Sequence, residues 1–210
     1  MQKENTSDEE KKEYLGILAK QSDRLKKLIQ DLIDASKASS GAVEVNNEPI
    51  DITTLSRQIA GEYQDKFEKN ELVLVSKGQD EPINVNADSN LLWRVMDNLF
   101  GNTLKYAMPG TRVYTEVYKE DNGKVCFSIC NISKDPLGIS EDELMERFVR
   151  GDASRNTEGS GLGLSIAKSL MELMNGNLSL KIDGDMFKAV LELKEVIEPE
   201  ETTEVEKISE

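Results

Sequence analysis

The 210-residue chain contains no histidine, two cysteines, five prolines and 5% aromatic residues. The absence of histidine removes Ser-His-Asp triads, imidazole-ligated metals and any histidine acting as phosphate acceptor or base. Cys126 and Cys130 cannot build a disulfide scaffold and read as buried thiols in a reducing compartment. No apolar run approaches the roughly 20 residues needed to cross a bilayer, and the polar start Met1–Asp8 is no signal peptide. Lys and Arg number 26 against 40 Asp and Glu, a net charge of −14 that disfavours general binding to nucleic acid or acidic lipid. A local cradle of backbone amides can still hold a phosphate against that charge. What is present, 38% hydrophobic and 31% charged residues, suits one soluble domain with a smaller appendage.

The appendage comes first. From Glu9 to about Ser39 the pattern is helical, with Leu18, Leu25 and Leu32 recurring every seven residues and Tyr14 and Leu28 completing the seam. Leu15, Ile29 and Ile33 widen the stripe to that of a bundle helix, which needs a partner in water. Gly41–Pro49 reads as a linker, so 1–45 forms the appendage and 46–194 the main domain. Within that domain Ile52–Lys69 reads as a helix, and Glu71–Ser76 and Ile83–Asn86 as extended pieces. Asp88-Ser89 starts a helix buried through Leu92, Val95, Met96, Leu99 and Thr103, stopped by Pro109-Gly110. Alternating strands at 113–117 and 125–129 flank the hairpin signal Asp121-Asn122-Gly123. A short helix at Ser140–Phe148 and a polar loop at Arg150–Gly161 follow, then a helix at Leu162–Met174 ending at Asn175-Gly176. Strands at Leu178–Ile182 and Phe187–Leu193 close the domain, and the acidic tail 195–210 is expected to be disordered.

Two stretches carry chemistry. In Asp97–Tyr106, the residues Asn98, Asn102 and Lys105 fall at i, i+4 and i+7, on one side of a helix. Two neutral carboxamide oxygens beside a lysine suit a magnesium–polyphosphate complex: Mg²⁺ takes hard oxygens, and an amide supplies one without repelling phosphate. Taken alone, the same residues also fit the polar surface of an amphipathic helix. In Gly159-Ser160-Gly161-Leu162-Gly163-Leu164, glycines at alternate positions permit close backbone approach and open a helix whose first amides face an anion. Neither a dinucleotide fingerprint nor a Gly-x-x-x-x-Gly-Lys-Ser/Thr loop is present.

Together these segments resemble sensor histidine kinases. Asn98–Tyr106 is similar to the family's N box, Phe148-Val149-Arg150-Gly151-Asp152 to its F box and Gly159–Leu164 to its G2 box. Gln21–Leu32 resembles the second helix of its dimerisation and phosphoacceptor hairpin, so the likeness runs from about Tyr14 to Leu193. The resemblance implies a two-layer α/β sandwich, a mixed and mostly antiparallel sheet from Leu72 onward with helices on one face, preceded by one long bundle helix. It implies ATP and Mg²⁺, the metal held by Asn102, with Asn98 one turn before it, Lys105 near the phosphates and Tyr106 against the nucleotide. Phe148 would anchor a mobile lid, Arg150 or Arg155 reach the terminal phosphate, and Gly159, Ser160, Gly161, Leu162 and Gly163 hinge the lid and present amides. A response regulator receiver domain, a homodimer, and a cytoplasmic place beneath a membrane-anchored sensor are implied as well.

Two departures stand out. The family's Asp-x-Gly-x-Gly box, whose aspartate receives the adenine amino group, is broken in Asn131-Ile132-Ser133-Lys134-Asp135-Pro136-Leu137-Gly138-Ile139. Asn131 or Asp135 can stand in, Asn131 being favoured, with a weaker hydrogen bond from a neutral acceptor. Moreover, the phosphoacceptor histidine belongs to a hairpin helix missing here, so this chain cannot phosphorylate itself and reads as the trimmed part of a longer sensor. The rivals are an ATPase of the gyrase and heat-shock kind, an anti-sigma-type serine kinase, and a nucleotide-sensing binding module. The first needs a glutamate where Asn98 stands, and an amide cannot accept the proton of an attacking water.

Overall fold

The computed structural model describes residues 10–19, 21, 22, 25, 26, 29, 33, 44–78, 80–138, 140–145 and 161–196. Residues 10–19, with the helical positions that follow up to 33, form α1, whose described side chains are all exposed. Then come β1 (Glu48–Asp51), α2 (Ile52–Lys69), β2 (Val73–Lys77), β3 (Asn84–Ala87), α3 (Ser89–Tyr106), β4 (Arg112–Lys119) and β5 (Lys124–Ile132). The last elements are α4 (Glu141–Met145), α5 (Gly163–Leu173), β6 (Asn177–Asp183) and β7 (Met186–Lys194).

Five strands form one sheet in the order β2-β4-β5-β7-β6, in which only β2 and β4 run parallel. Alternation sends Val113 and Val117 of β4, and Val125, Phe127 and Ile129 of β5, toward the helices. There they meet Leu92, Val95, Met96 and Leu99 of α3 and Ile166, Leu170 and Met171 of α5 in one core. Four aromatic rings join the layers: Tyr63 lies 5.2 Å from Phe100, and Phe67 and Phe127 lie 6.0 and 6.3 Å from it. The two-layer sandwich with a mixed sheet and helices on one face is therefore present. Cys126 is buried and Cys130 half-buried, and burial raises the pKa of both thiols.

Two boundaries differ from the sequence reading. Glu48–Asp51, partly assigned to the linker, is a strand that pairs antiparallel with β3, Glu48 opposite Ala87 and Asp51 opposite Asn84. Its proline hid it, yet Pro49 is tolerated because β1 is an edge strand of this small sheet. On the other side of β3, Glu195 bridges Val85 and the Val196 N–H donates to the Asn84 carbonyl at 2.9 Å. The first two residues of the supposed tail thus continue β7 into the small sheet, while the rest of the tail lies outside the described residues.

Asp51 ends β1 and caps α2. Its Oδ1 accepts the Thr53 N–H at 2.9 Å, the Thr54 N–H at 3.2 Å and the Ile83 N–H at 3.3 Å, and both threonine hydroxyls also donate to the carboxylate. Partial burial pushes this carboxyl up, but the four hydrogen bonds from Thr53 and Thr54 outweigh it and hold its pKa at about 2.

Candidate functional site

The site is built on α3. Asp88 starts the helix as its N-cap, Oδ1 accepting from the Asn90 and Leu91 N–H groups at 3.0 and 3.1 Å. The stripe Leu92, Val95, Met96, Leu99, Phe100 and Thr103 is buried, which leaves Asn98, Asn102 and Lys105 half-buried along its border. Their i, i+4, i+7 spacing sets them along one side of α3, while the Lys105 ammonium contacts Tyr106.

α5 meets that border end-on. Gly161 has φ +70°, a left-handed conformation that favours glycine, and turns the chain into the helix. Leu162 follows as a buried N-cap whose own side chain offers no acceptor to the first amides of α5. A Cβ placed on Gly163 would lie 3.4 Å from Asn98 Oδ1, 3.7 Å from Asn102 Nδ2 and 3.8 Å from Asn102 Oδ1. The two motifs, about sixty residues apart in sequence, thus touch through the position of a missing methyl group. A helix N-terminus carries partial positive charge and is suited to an anion. The carboxamides beside it add hard oxygens.

The far end of α3 is fastened to β5. Met108 N–H donates to the Ile132 carbonyl at 2.8 Å, Lys134 N–H to the Tyr106 carbonyl at 2.9 Å, and Ala107 bridges Ser133. Lys105 Nζ donates to the Tyr106 hydroxyl at 2.8 Å and sits 4.6 Å from the ring centroid. Asn131, at the end of β5, is buried on the helix-facing side, and its Oδ1 accepts a long 3.4 Å bond from the Thr103 hydroxyl. Asp135 lies half-buried in the bend beyond β5, with no hydrogen bond described to the other site residues. Phe148, Arg150, Arg155, Gly159 and Ser160 lie outside the described residues.

Sequence reasoning missed two polar contacts behind the site. Thr103 read simply as core, yet its hydroxyl reaches Asn131. Tyr63 of α2 donates to Asp97 Oδ1 at 2.7 Å, and burial together with that carboxylate raises its pKa. Only the residue types at 63 and 97 hinted at this pair, because their spacing carries no helical signature. Asp97 faces α2 by this bond, which leaves the carboxamides as the polar side chains that α3 sets against Gly163. Among the described residues no group of three His, Cys, Asp or Glu is placed to hold a metal ion. The hard oxygens beside Gly163 belong to amides, and this donor set fits Mg²⁺ that takes its remaining ligands from water and phosphate.

A mixed sheet layered with helices thus brings the N-terminus of α5 against paired asparagines, an arrangement suited to a metal-bound, phosphate-bearing ligand. The family described as histidine kinase-, DNA gyrase B- and HSP90-like ATPases matches residues 87–205, more than half of the chain, and the protein belongs to it. The autoinducer 2 sensor kinase/phosphatase LuxQ of Vibrio parahaemolyticus is 28% identical over 92% of this chain and 24% of its own length. The chain therefore spans about a quarter of that relative. Full-length ShkA solved with AMPPNP superposes at a TM-score of 0.76 with 24% identity, over 92% of this chain and 40% of that one. Histidine kinase ThkA in complex with response regulator protein TrrA gives 0.70 at 19% identity, over 92% and 54%. No helix among the described residues is long and apolar enough to cross a membrane.

Proposed function

We propose that the chain holds Mg-ATP between α3 and the start of α5 and positions the γ-phosphoryl for transfer to a histidine absent from this sequence, for relay to an aspartate on a response regulator. The approach of Gly163 to Asn98 and Asn102 supports this reading, because amides suited to a phosphate lie beside carboxamide oxygens suited to Mg²⁺. Asn102 would hold the magnesium ion, which supplies charge neutralisation for the phosphates when bound. Lys105 turns from Tyr106 toward the phosphates, and Tyr106 packs against the nucleotide. Phe148, Arg150 or Arg155, and Gly159 to Gly163 serve as the lid and its hinge. Asn131 is the better adenine partner than Asp135, since it is buried beside α3 and already accepts a hydrogen bond from Thr103. In domain terms, 1–45 carries the second helix of a phosphoacceptor hairpin, 46–194 the catalytic unit, to which Glu195 and Val196 add by continuing β7, and the remainder to 210 an acidic tail. The parent sensor would hold this unit on the cytoplasmic side of a membrane and dimerise through its hairpins.

Phosphoryl transfer of this type rests on positioning and electrostatics rather than covalent work by the protein. Hydrolysis should be slow, because Asn98 cannot act as a base and Asp97 is bonded to Tyr63. The test mixes the chain and Mg-ATP with a polypeptide carrying the histidine-bearing hairpin helix and asks whether phosphate appears on that histidine. Asn102→Ala should lose about 100-fold or more in Mg-ATP affinity, ~2.7 kcal/mol, with an unchanged melting temperature. Wild-type affinity in that variant, measured by calorimetry, excludes Asn102 as the metal ligand.

A further inference from the structure

Asp88 does more than begin a helix. Its two carboxylate oxygens serve two different parts of the chain: Oδ1 takes the Asn90 and Leu91 N–H groups of α3. Oδ2 accepts the Asn46 N–H at 3.0 Å, from the connector that follows α1. Asp88 as a residue is only 8% exposed, which limits the competition of water for either bond. The connector is held again on both sides of that bond: Val45 packs on the core, and β1 pairs with β3 from Glu48 opposite Ala87. β3 then runs directly through Asp88 into α3, the helix that carries Asn98 and Asn102.

We infer that Asp88 is a positioning residue that couples the connector after the N-terminal helix to the nucleotide helix, so that displacement of one shifts the other. This rests on the ATP-binding reading of α3 given above. A carboxylate bridging two elements transmits force in a way an ordinary cap does not, since pulling the connector pulls the first turn of α3. Coupling of this sort is reciprocal: nucleotide bound on α3 must protect the connector to the same degree that the connector supports nucleotide.

The two oxygens allow the roles to be separated. Asp88→Asn keeps an oxygen to cap α3 but replaces the other with an amide that cannot accept from Asn46. Asn46→Pro removes the donor and leaves the cap intact. Asp88→Ser retains a cap and loses the connector. With the full chain and Mg-AMPPNP as probe, each variant should weaken binding by about fivefold or more, and Asp88→Asn with Asn46→Pro together no more than either alone. In the wild-type chain the probe should slow hydrogen exchange at the Asn46 amide, and in Asp88→Asn that slowing should vanish. Wild-type affinity in Asp88→Asn and Asp88→Ser, or an Asn46 amide indifferent to the probe, would reduce Asp88 to a helix cap and overturn the coupling. Failure of the wild-type chain to bind the probe would instead sink the ATP reading, and the coupling with it.

Discussion

Replacing Asp51 by alanine strips α2 of the acceptor for two backbone N–H groups and two hydroxyls, a cap whose loss costs about 1 kcal/mol. In a chain of this size that lowers the melting temperature by about 2–4 °C at neutral pH. The sign with pH follows from its pKa, about 2 when folded against an ordinary value of 3.8. The carboxylate stabilises the fold above pH 3.8, and the contribution disappears as pH falls toward 2. Thermal melts of wild type and Asp51→Ala should therefore converge between those pH values; a constant gap would mean the charge contributes nothing. Gly163 separates stability from function at a single position. Its absent Cβ would meet Asn98 Oδ1 at 3.4 Å and Asn102 at 3.7 Å, contacts the fold can tolerate. Alanine there is at least as good a helix former as glycine, so Gly163→Ala should melt no lower than wild type. The methyl nevertheless fills the gap between the carboxamides and the first amides of α5, so Mg-ATP affinity should fall about tenfold, ~1.4 kcal/mol. Unaltered affinity would remove this gap from the binding site.

At the scale of elements, legibility followed the strength of local signals. The helix Ile52–Lys69 was read to the residue because an apolar face of Leu55, Ile59, Tyr63 and Phe67 recurs at helical spacing between two chemical stops. The hairpin around Asp121-Asn122-Gly123 was equally plain: Gly123 has φ +77° and the turn joins β4 to β5. β1 was invisible, since four residues with a proline carry no periodicity and owe their strand to pairing with β3. The same limit governs the site. Spacing along one helix gathered Asn98, Asn102 and Lys105, but the bonds of Thr103 to Asn131, Tyr63 to Asp97 and Asn46 to Asp88 join distant segments and leave no mark in sequence. The stop at Asn175-Gly176 was legible in place, though the division of labour was not. Asn175 adopts the left-handed turn, with φ 57°, and Gly176 is required for space. A Cβ on Gly176 would lie 2.8 Å from the Glu192 carbonyl oxygen and 2.7 Å from Met171 Cε. A backbone oxygen cannot swing away as a side chain can, so Gly176→Ala should cost about 1–3 kcal/mol by displacing α5 from β7. Denaturant melts with an unchanged midpoint would show that the two elements slide apart freely.

For the whole molecule the unbalanced feature is α1. Tyr14, Leu15, Leu18, Leu25 and Ile29 are 51–65% exposed, and Ile17 and Ile33 are 47% and 41% exposed. The seam anticipated from the heptad spacing of Leu18 and Leu25 is thus formed as a helix face without being covered by the sandwich. Apolar side chains exposed on one helix favour pairing with another copy, packing back on the sandwich or fraying. Of these, pairing is the outcome expected, because burying such surface removes roughly 25 cal/mol per Å² of unfavourable hydration. None of the described α1 residues belongs to the hydrophobic core of the sandwich. Association and nucleotide binding should therefore be separable. The wild-type chain should sediment as a monomer at low concentration and as a larger species as concentration rises. Leu18→Asp combined with Leu25→Asp places two charges on the seam, where burial without a partner is prohibitive, and should hold the chain monomeric at every concentration. Its affinity for Mg-ATP should stay within about twofold of wild type, because neither residue belongs to the core around α3 and α5. A wild-type chain that remains monomeric throughout would mean that α1 is content with water. A double variant that loses nucleotide along with association would mean that the two halves of the molecule form one cooperative unit, with the helix supporting the site directly.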